Sequence, residues 1–145
     1  MPGTCTLAEK RGALRLHALP AADFLWARDT LTQRVTGPVS SATVTLDASG
    51  LRPGDVAGLG LLNMPAAWLG VVREADGLLL RWYDQHGDRH VDVPLQGPVV
   101  HLRASGDYDA DEARFSFSAD GRRFEAIGDP VRLPYQLKTF QGTRY

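Results

Sequence analysis

The stretch FSFSADGRRF, residues 115–124, alternates aromatic and small polar residues before it reaches a turn signal. Successive side chains of an extended strand point to opposite faces of a sheet. Phe115 and Phe117 therefore share one face, and Ser116 and Ser118 share the other. This pattern predicts a strand with one face in a hydrophobic core and one face in water.

The pair Asp120-Gly121 follows that strand and predicts a tight hairpin, because glycine accepts the positive φ that such turns require. We expect Phe124 to lie on the returning strand and to join Phe115 and Phe117 in the core. The same alternation recurs along the chain, separated by turn signals rich in Gly, Pro and Asp. Further strands are predicted at residues 13–17, 42–46, 78–83, 90–95, 99–103 and 114–118. No long window has helical spacing, and the turns are spaced as in a β-sandwich, so the predicted fold class is all-β.

Glycine and tryptophan positions refine this prediction. The glycines of GDVAGLGLL, residues 54–62, indicate a strand where two backbones approach closely. Trp68 and Trp82 fall in strand-like segments and are expected to be at least half buried. Trp26 instead stands beside Arg28 in a polar, irregular segment, so Trp26 and Arg28 are the candidate interface residues.

Length and charge exclude several function classes. The chain has 145 residues, of which 43% are hydrophobic, which suits a single domain over residues 1–145. A net charge of −1 argues against nucleic acid and anionic membranes as partners. No apolar run approaches the roughly 20 residues that span a bilayer, and the first residues do not resemble a signal peptide. The single cysteine, Cys5, excludes an internal disulfide, so the cytoplasm is the default expectation.

The acidic and histidine clusters do not match known chemical motifs. The segment DYDADE, residues 107–112, imitates a calcium loop but lacks its glycine and its final glutamate, so we expect a solvated hairpin. His86 and His90 flank a hairpin signal, where helical ligand spacing has no meaning. No nucleophile motif and no pair of acid and base carboxylates can be identified. The sequence therefore predicts no catalytic residues, no metal site and no cofactor in this chain.

Four blocks of the chain resemble the C-terminal domain of family 43 glycoside hydrolases of the β-xylosidase type. They are ARDTLTQRVTGP (27–38), LRPGDVAGLGLL (51–62), FSFSADGRRF (115–124) and FQGTRY (140–145), in the family's order. The resemblance implies a concanavalin A-like jelly-roll sandwich. It also implies that the catalytic carboxylates lie on an N-terminal five-bladed propeller outside this chain, and that the propeller is the partner. An aromatic of the family's sandwich walls the sugar pocket, and the similar position here is Phe140. Phe140 is equally well explained as a core residue.

The chain departs from the family pattern at both ends, where the resemblance implies further strands. We therefore expect a partial accessory domain that lacks terminal edge strands. The leading hypothesis is a non-catalytic domain that packs on the propeller of a xylan-directed β-xylosidase or α-L-arabinofuranosidase and helps close its pocket on a xylo-oligosaccharide or arabinoside. The alternatives are an independent carbohydrate-binding module and an enzyme in its own right, although no carboxylate pair supports the latter. The sequence leaves self-association open.

Overall fold

The structure is a computed structural model and describes residues 5–135. The chain divides into two compact units, residues 1–33 and residues 34–145. In the described part, regular structure consists of β-strands and one short 3₁₀ helix, which confirms the all-β prediction. Residues 5–135 include no helix that is both long enough and apolar enough to cross a membrane.

The first unit contains a small antiparallel pair of strands, β1 (Cys5–Thr6) and β2 (Arg15–Leu16). The 3₁₀ helix, Phe24–Trp26, follows β2. Asp23 caps this helix, since its Oδ1 accepts a hydrogen bond of 2.8 Å from the backbone N–H of Leu25.

Within residues 34–135, the second unit holds two four-stranded antiparallel sheets, which we name sheet A and sheet B. Sheet A has the order β10-β9-β8-β3, and sheet B has the order β4-β5-β6-β7. The strands are β3 (Val39–Asp47), β4 (Val56–Leu61), β5 (Ala67–Arg73), β6 (Leu78–Asp84), β7 (Arg89–Pro94), β8 (Val99–Asp107), β9 (Glu112–Ser118) and β10 (Glu125–Arg132).

The hydrophobic core of the second unit lies between the two sheets. Sheet A contributes one face of β8, β9 and β10, and sheet B contributes one face of β5 and β6. Its largest fully buried side chains are Trp82, Phe115, Leu69, Leu80 and Leu102. The second unit is therefore a β-sandwich, as the alternation of apolar and polar residues predicted.

The stretch 115–124 follows the prediction in its strand and departs from it in its turn. Phe115 is 1% exposed, and Phe117 is partly buried against the core, so the inward face is confirmed. The connection is a longer loop, residues 119–124, and not a tight turn. Phe124 lies just before β10 and is not a core residue, because its ring stacks under the Arg103 guanidinium, whose Cζ is 3.6 Å from the ring centroid.

Two strands of the sandwich fall outside the predicted strand ranges. The sequence places Trp68 of β5 in a strand-like segment but predicts no range for this strand, because its apolar residues run almost continuously through AWLGVV without alternation. β10 contains a shift of register between Ile127 and Val131, which interrupts the alternation that identifies a strand. Gly58 and Gly70 are paired on β4 and β5, where a Cβ on Gly58 would clash with the backbone of β5. The close approach predicted for residues 54–62 is thereby confirmed.

Candidate functional site

Trp26 and Arg28, the candidate interface residues, line the same shallow cleft in the first unit. Trp26 is the last residue of the 3₁₀ helix and is 72% exposed. The cleft has a volume of about 450 Å³ and is open to one side; its lining residues are Leu19, Pro20, Ala21, Ala22, Trp26 and Arg28. The first unit thus presents an aromatic face beside a cation, on a floor of small apolar side chains.

Asp29 fixes the backbone next to this cleft. Its Oδ2 accepts a hydrogen bond from the backbone N–H of Leu19, which ties the chain before the 3₁₀ helix to the chain after it. The hydroxyl of Thr30 donates to the carbonyl of Ala27 over 3.0 Å and closes the turn that follows. Two polar side chains therefore hold the segment that presents Trp26.

Several other large apolar side chains of the first unit are also exposed. They are Leu7, Leu14, Leu16 and Leu31. Exposed large apolar side chains are frequent where a protein docks on another protein. Phe140, the predicted wall of the sugar pocket, lies outside the described residues, and its role stays a prediction.

The clusters that imitate metal sites form turns. Asp107 closes the β8–β9 hairpin, since its Oδ1 accepts 3.1 Å hydrogen bonds from the N–H groups of Asp109 and Ala110. His86 lies in the turn that joins β6 and β7, where Gly87 has a φ of 85°, and His90 lies in β7. No group of three or more His, Cys, Asp or Glu side chains within residues 5–135 is arranged to hold a metal ion.

Two carboxylates have lowered pKa values, which is the opposite of what a general acid needs. The hydrogen bond from Arg81 lowers the pKa of Asp92, and partial burial opposes this shift. Hydrogen bonds from the backbone N–H groups of Arg123 and Arg122 lower the pKa of Asp120. Both groups are therefore held ionised by partners of the fold, and we assign neither to proton transfer.

The sequence did not single out the polar and aromatic side chains on the outer face of sheet B. Trp68 of β5 and Tyr83 of β6 are paired across the strands, with ring centroids 5.6 Å apart and ring planes inclined by 31°. One row along, Arg81 donates to both carboxylate oxygens of Asp92, each over 2.7 Å. The alternation within one strand does not show which residues of neighbouring strands lie side by side. These four residues can be grouped only when the register between β5, β6 and β7 is known.

A family model described as the β-xylosidase C-terminal concanavalin A-like domain matches residues 1–144. The chain belongs to this family. The two four-stranded sheets agree with a concanavalin A-like sandwich, so both the fold class and the resemblance are confirmed. No curated protein matches the chain significantly.

Solved structures of family 43 proteins contain a similar domain. A bifunctional GH43-CE protein from Bacteroides eggerthii is 30% identical, with a TM-score of 0.86 over 92% of this chain. A GH43 glycoside hydrolase, engineered to display both endo-xylanase and exo-arabinofuranosidase activity, is 26% identical, with a TM-score of 0.70 over 81% of this chain. The GH43 protein BlXynB from Bacillus licheniformis is 20% identical, with a TM-score of 0.69 over 86% of this chain, a likeness of fold alone.

The chain covers only a small part of these proteins. It spans 18% of the Bacteroides eggerthii protein and 27% of the engineered glycoside hydrolase. The chain therefore corresponds to a C-terminal domain that, in these relatives, belongs with a much larger family 43 protein.

Proposed function

We propose that the chain is a non-catalytic accessory sandwich of a xylan-directed glycoside hydrolase of the β-xylosidase or α-L-arabinofuranosidase type. The observation that carries this proposal is the match of residues 1–144 to a C-terminal domain family whose solved members are several times longer. Both carboxylates with shifted pKa values are tied to partners of the fold, which supports a role without acid and base chemistry. The catalytic groups then belong to a family 43 propeller.

The docking surface in this proposal is the Trp26 cleft of the first unit. An exposed indole is a typical hot spot of a protein interface, because it buries a large apolar area at a small cost in side-chain entropy. Arg28 adds a cation that can pair with a carboxylate of the partner. The same unit also exposes several leucines, which can add apolar area to such an interface.

The role in catalysis is geometric. A sandwich loop that reaches the edge of a propeller excludes water and limits the pocket to a sugar at the chain end. Phe140 is the residue we propose for this wall, on the resemblance of its FQG block to the family. The substrate at the shared pocket is then a xylo-oligosaccharide or an arabinoside.

Association with a catalytic domain tests the docking surface. The full chain is mixed with a family 43 catalytic domain from which its own sandwich has been deleted, and binding is followed by sedimentation velocity and calorimetry. We expect a 1:1 complex, and Trp26→Ala should weaken it about tenfold or more because a hot-spot aromatic is lost. The melting temperature of the Trp26→Ala variant should equal that of the unmodified chain, since Trp26 is 72% exposed.

Val39→Ala is the matched control, because Val39 is an exposed apolar residue of the second unit. This variant should bind as tightly as the unmodified chain. Equal affinities of the Trp26→Ala and Val39→Ala variants would remove the Trp26 cleft from the interface, and the absence of any complex would contradict the accessory role.

A further inference from the structure

We propose that the outer face of sheet B binds a neutral oligosaccharide, with Trp68 and Tyr83 as a stacking surface and the Arg81–Asp92 pair as its hydrogen-bonding edge. This site goes beyond the function proposed above, which uses the first unit and Phe140. It is formed by β4, β5, β6 and β7 within the second unit.

The register places the four side chains on one face. Trp68 pairs with Tyr83, and Gly70, two residues further along β5, pairs with Arg81, which in turn pairs with Asp92 of β7. Residues two apart in a strand point to the same side, and Leu69 between them is fully buried in the core. The aromatic pair and the ion pair therefore lie in neighbouring rows on the side of sheet B that faces away from the core.

Glycines keep the flank of Trp68 clear of side chains. Gly60 is the partner of Trp68 on β4, and Gly58 is the partner of Gly70. A Cβ on Gly70 would lie 2.7 Å from the carbonyl oxygen of Ala57, so the close approach of the strands excludes larger residues there. Trp68 therefore lies beside a row of glycines at which β4 and β5 approach closely.

Trp68 and Tyr83 together form the platform of this site. Both are only partly buried, and their ring centroids lie 5.6 Å apart with ring planes inclined by 31°. A pyranose ring offers flat faces of C–H groups, which pack on the electron-rich face of an aromatic ring.

The Arg81–Asp92 pair supplies hydrogen-bonding groups beside the aromatic pair. Arg81 uses Nε and Nη2 on Asp92, so Nη1 is left to donate, and each oxygen of Asp92 retains a further lone pair. A donor and two acceptors beside an apolar platform match the hydroxyl rim of a sugar. Glu74 Oε1 also lies 3.9 Å from Arg81 Nη2, so two carboxylates face one guanidinium, and the edge favours a neutral glycan over a uronic acid polymer or a phosphate.

A titration of the ¹⁵N-labelled full chain with xylohexaose tests the proposal. The spectrum resolves the indole N–H groups of Trp26, Trp68 and Trp82. We expect saturable shifts of the Trp68 indole and of the Arg81 Nε–H, and no shift of the Trp26 indole. Hexagalacturonate is the acidic probe and should bind more weakly. Shifts confined to other parts of the chain, saturable binding of hexagalacturonate in preference to xylohexaose, or no saturable shift at all would overturn the proposal.

Variants then assign the energy to the platform. Trp68→Ala should weaken xylohexaose binding about tenfold or more, because the stacking face is lost. Val56→Ala is the matched control, since Val56 is exposed on the same face two rows away, and its affinity should be unchanged. If Trp68→Ala does not fold, Arg81→Met retains the aromatic platform and removes the donors, and it should weaken binding several-fold.

The same variants separate this site from the docking surface. If Trp68→Ala, and not Trp26→Ala, abolishes the complex with a catalytic domain, sheet B is a protein interface and the oligosaccharide proposal is wrong. If xylohexaose shifts Trp68 while no catalytic domain binds, the oligosaccharide site stands and the accessory function fails.

Discussion

Phe115 and its neighbour Ser116 lie on opposite faces of β9, as the alternation of side chains along a strand predicts. Phe115 is buried among the core residues of both sheets, and Ser116 pairs with Arg103 and Ala126 on the other face. Ser118 shares the outer parity of Ser116 and is nevertheless buried, because the loop of residues 119–124 folds over it. Its hydroxyl donates to Asp120 and accepts from the N–H of Gly121. Parity identifies the face of a residue, and the loop above that face decides its burial.

We predict that Phe115→Ala lowers the free energy of unfolding by about 3–5 kcal/mol, because it removes a fully buried ring and leaves a cavity. Ser116→Ala should change it by no more than about 0.5 kcal/mol. Urea unfolding of both variants measures the difference. Midpoints that coincide would contradict the assignment of the two faces.

The position of Gly128 can accommodate only glycine. It has a φ of 70° and lies against the Trp82 ring, so that an added Cβ would overlap the indole at 2.2 Å. Trp82 itself is 1% exposed and cannot move outward without opening the core.

Gly128→Ala should therefore destabilise the sandwich by at least about 2 kcal/mol, from left-handed backbone strain and overpacking together. Gly97→Ala is the control, since a Cβ at Gly97 meets no atom within 4 Å. Thermal melts of the two variants should differ clearly, and equal melting temperatures would show that β10 adjusts its position to relieve the contact.

At the scale of elements, local alternation predicted most strands and failed where a strand has no simple period. β6, β7, β8 and β9 alternate and fall within or around the predicted ranges. β5 is apolar on both of its faces, and β10 contains a bulge, so neither gives a period of two. The loop 119–124 was predicted as a tight turn because its sequence contains Asp120-Gly121. Asp120 instead accepts hydrogen bonds from the N–H groups of Arg122 and Arg123, which stabilises a wider loop.

The candidate site was only partly predictable for a related reason. Trp26 could be identified because an aromatic outside the strand pattern has no place in the core. The row of Trp68, Tyr83, Arg81 and Asp92 requires the register between three strands, which the residues of any single strand do not specify.

The Arg81–Asp92 pair predicts a pH dependence of stability. The pKa of Asp92 is lower in the folded chain than in the unfolded chain, where it is about 3.9. The stabilisation that ionised Asp92 gives to the folded chain is therefore complete above the unfolded pKa, and it is lost as the pH falls through the folded pKa. We expect Asp92→Asn to be less stable than the unmodified chain near neutral pH, and the difference to shrink as the pH falls to about 3. Urea unfolding of both proteins between neutral pH and about pH 3 measures this difference in stability. A difference that does not change with pH would contradict the ion pair.

At the scale of the whole molecule, the isolated chain should have no glycosidase activity. The described carboxylates with shifted pKa values are held ionised, and the family places this domain at the C-terminus of β-xylosidases. Aryl β-xylosides and aryl α-L-arabinofuranosides are the appropriate probes. If an activity that releases the aryl group co-purifies with the chain through several steps, this domain carries its own acid and base.

The central claim is that the chain completes the sugar pocket of a family 43 catalytic domain. The most direct test is kcat/KM on a short xylo-oligosaccharide, measured for a catalytic domain without its sandwich, alone and with this chain or its Phe140→Ala variant added. We predict that the added chain raises kcat/KM. With the Phe140→Ala variant, kcat/KM should be at least about tenfold lower than with the unmodified chain, and the variant's melting temperature should be unchanged. An added chain without effect on kcat/KM, or a Phe140→Ala variant that melts many degrees lower yet restores full activity, would contradict the account.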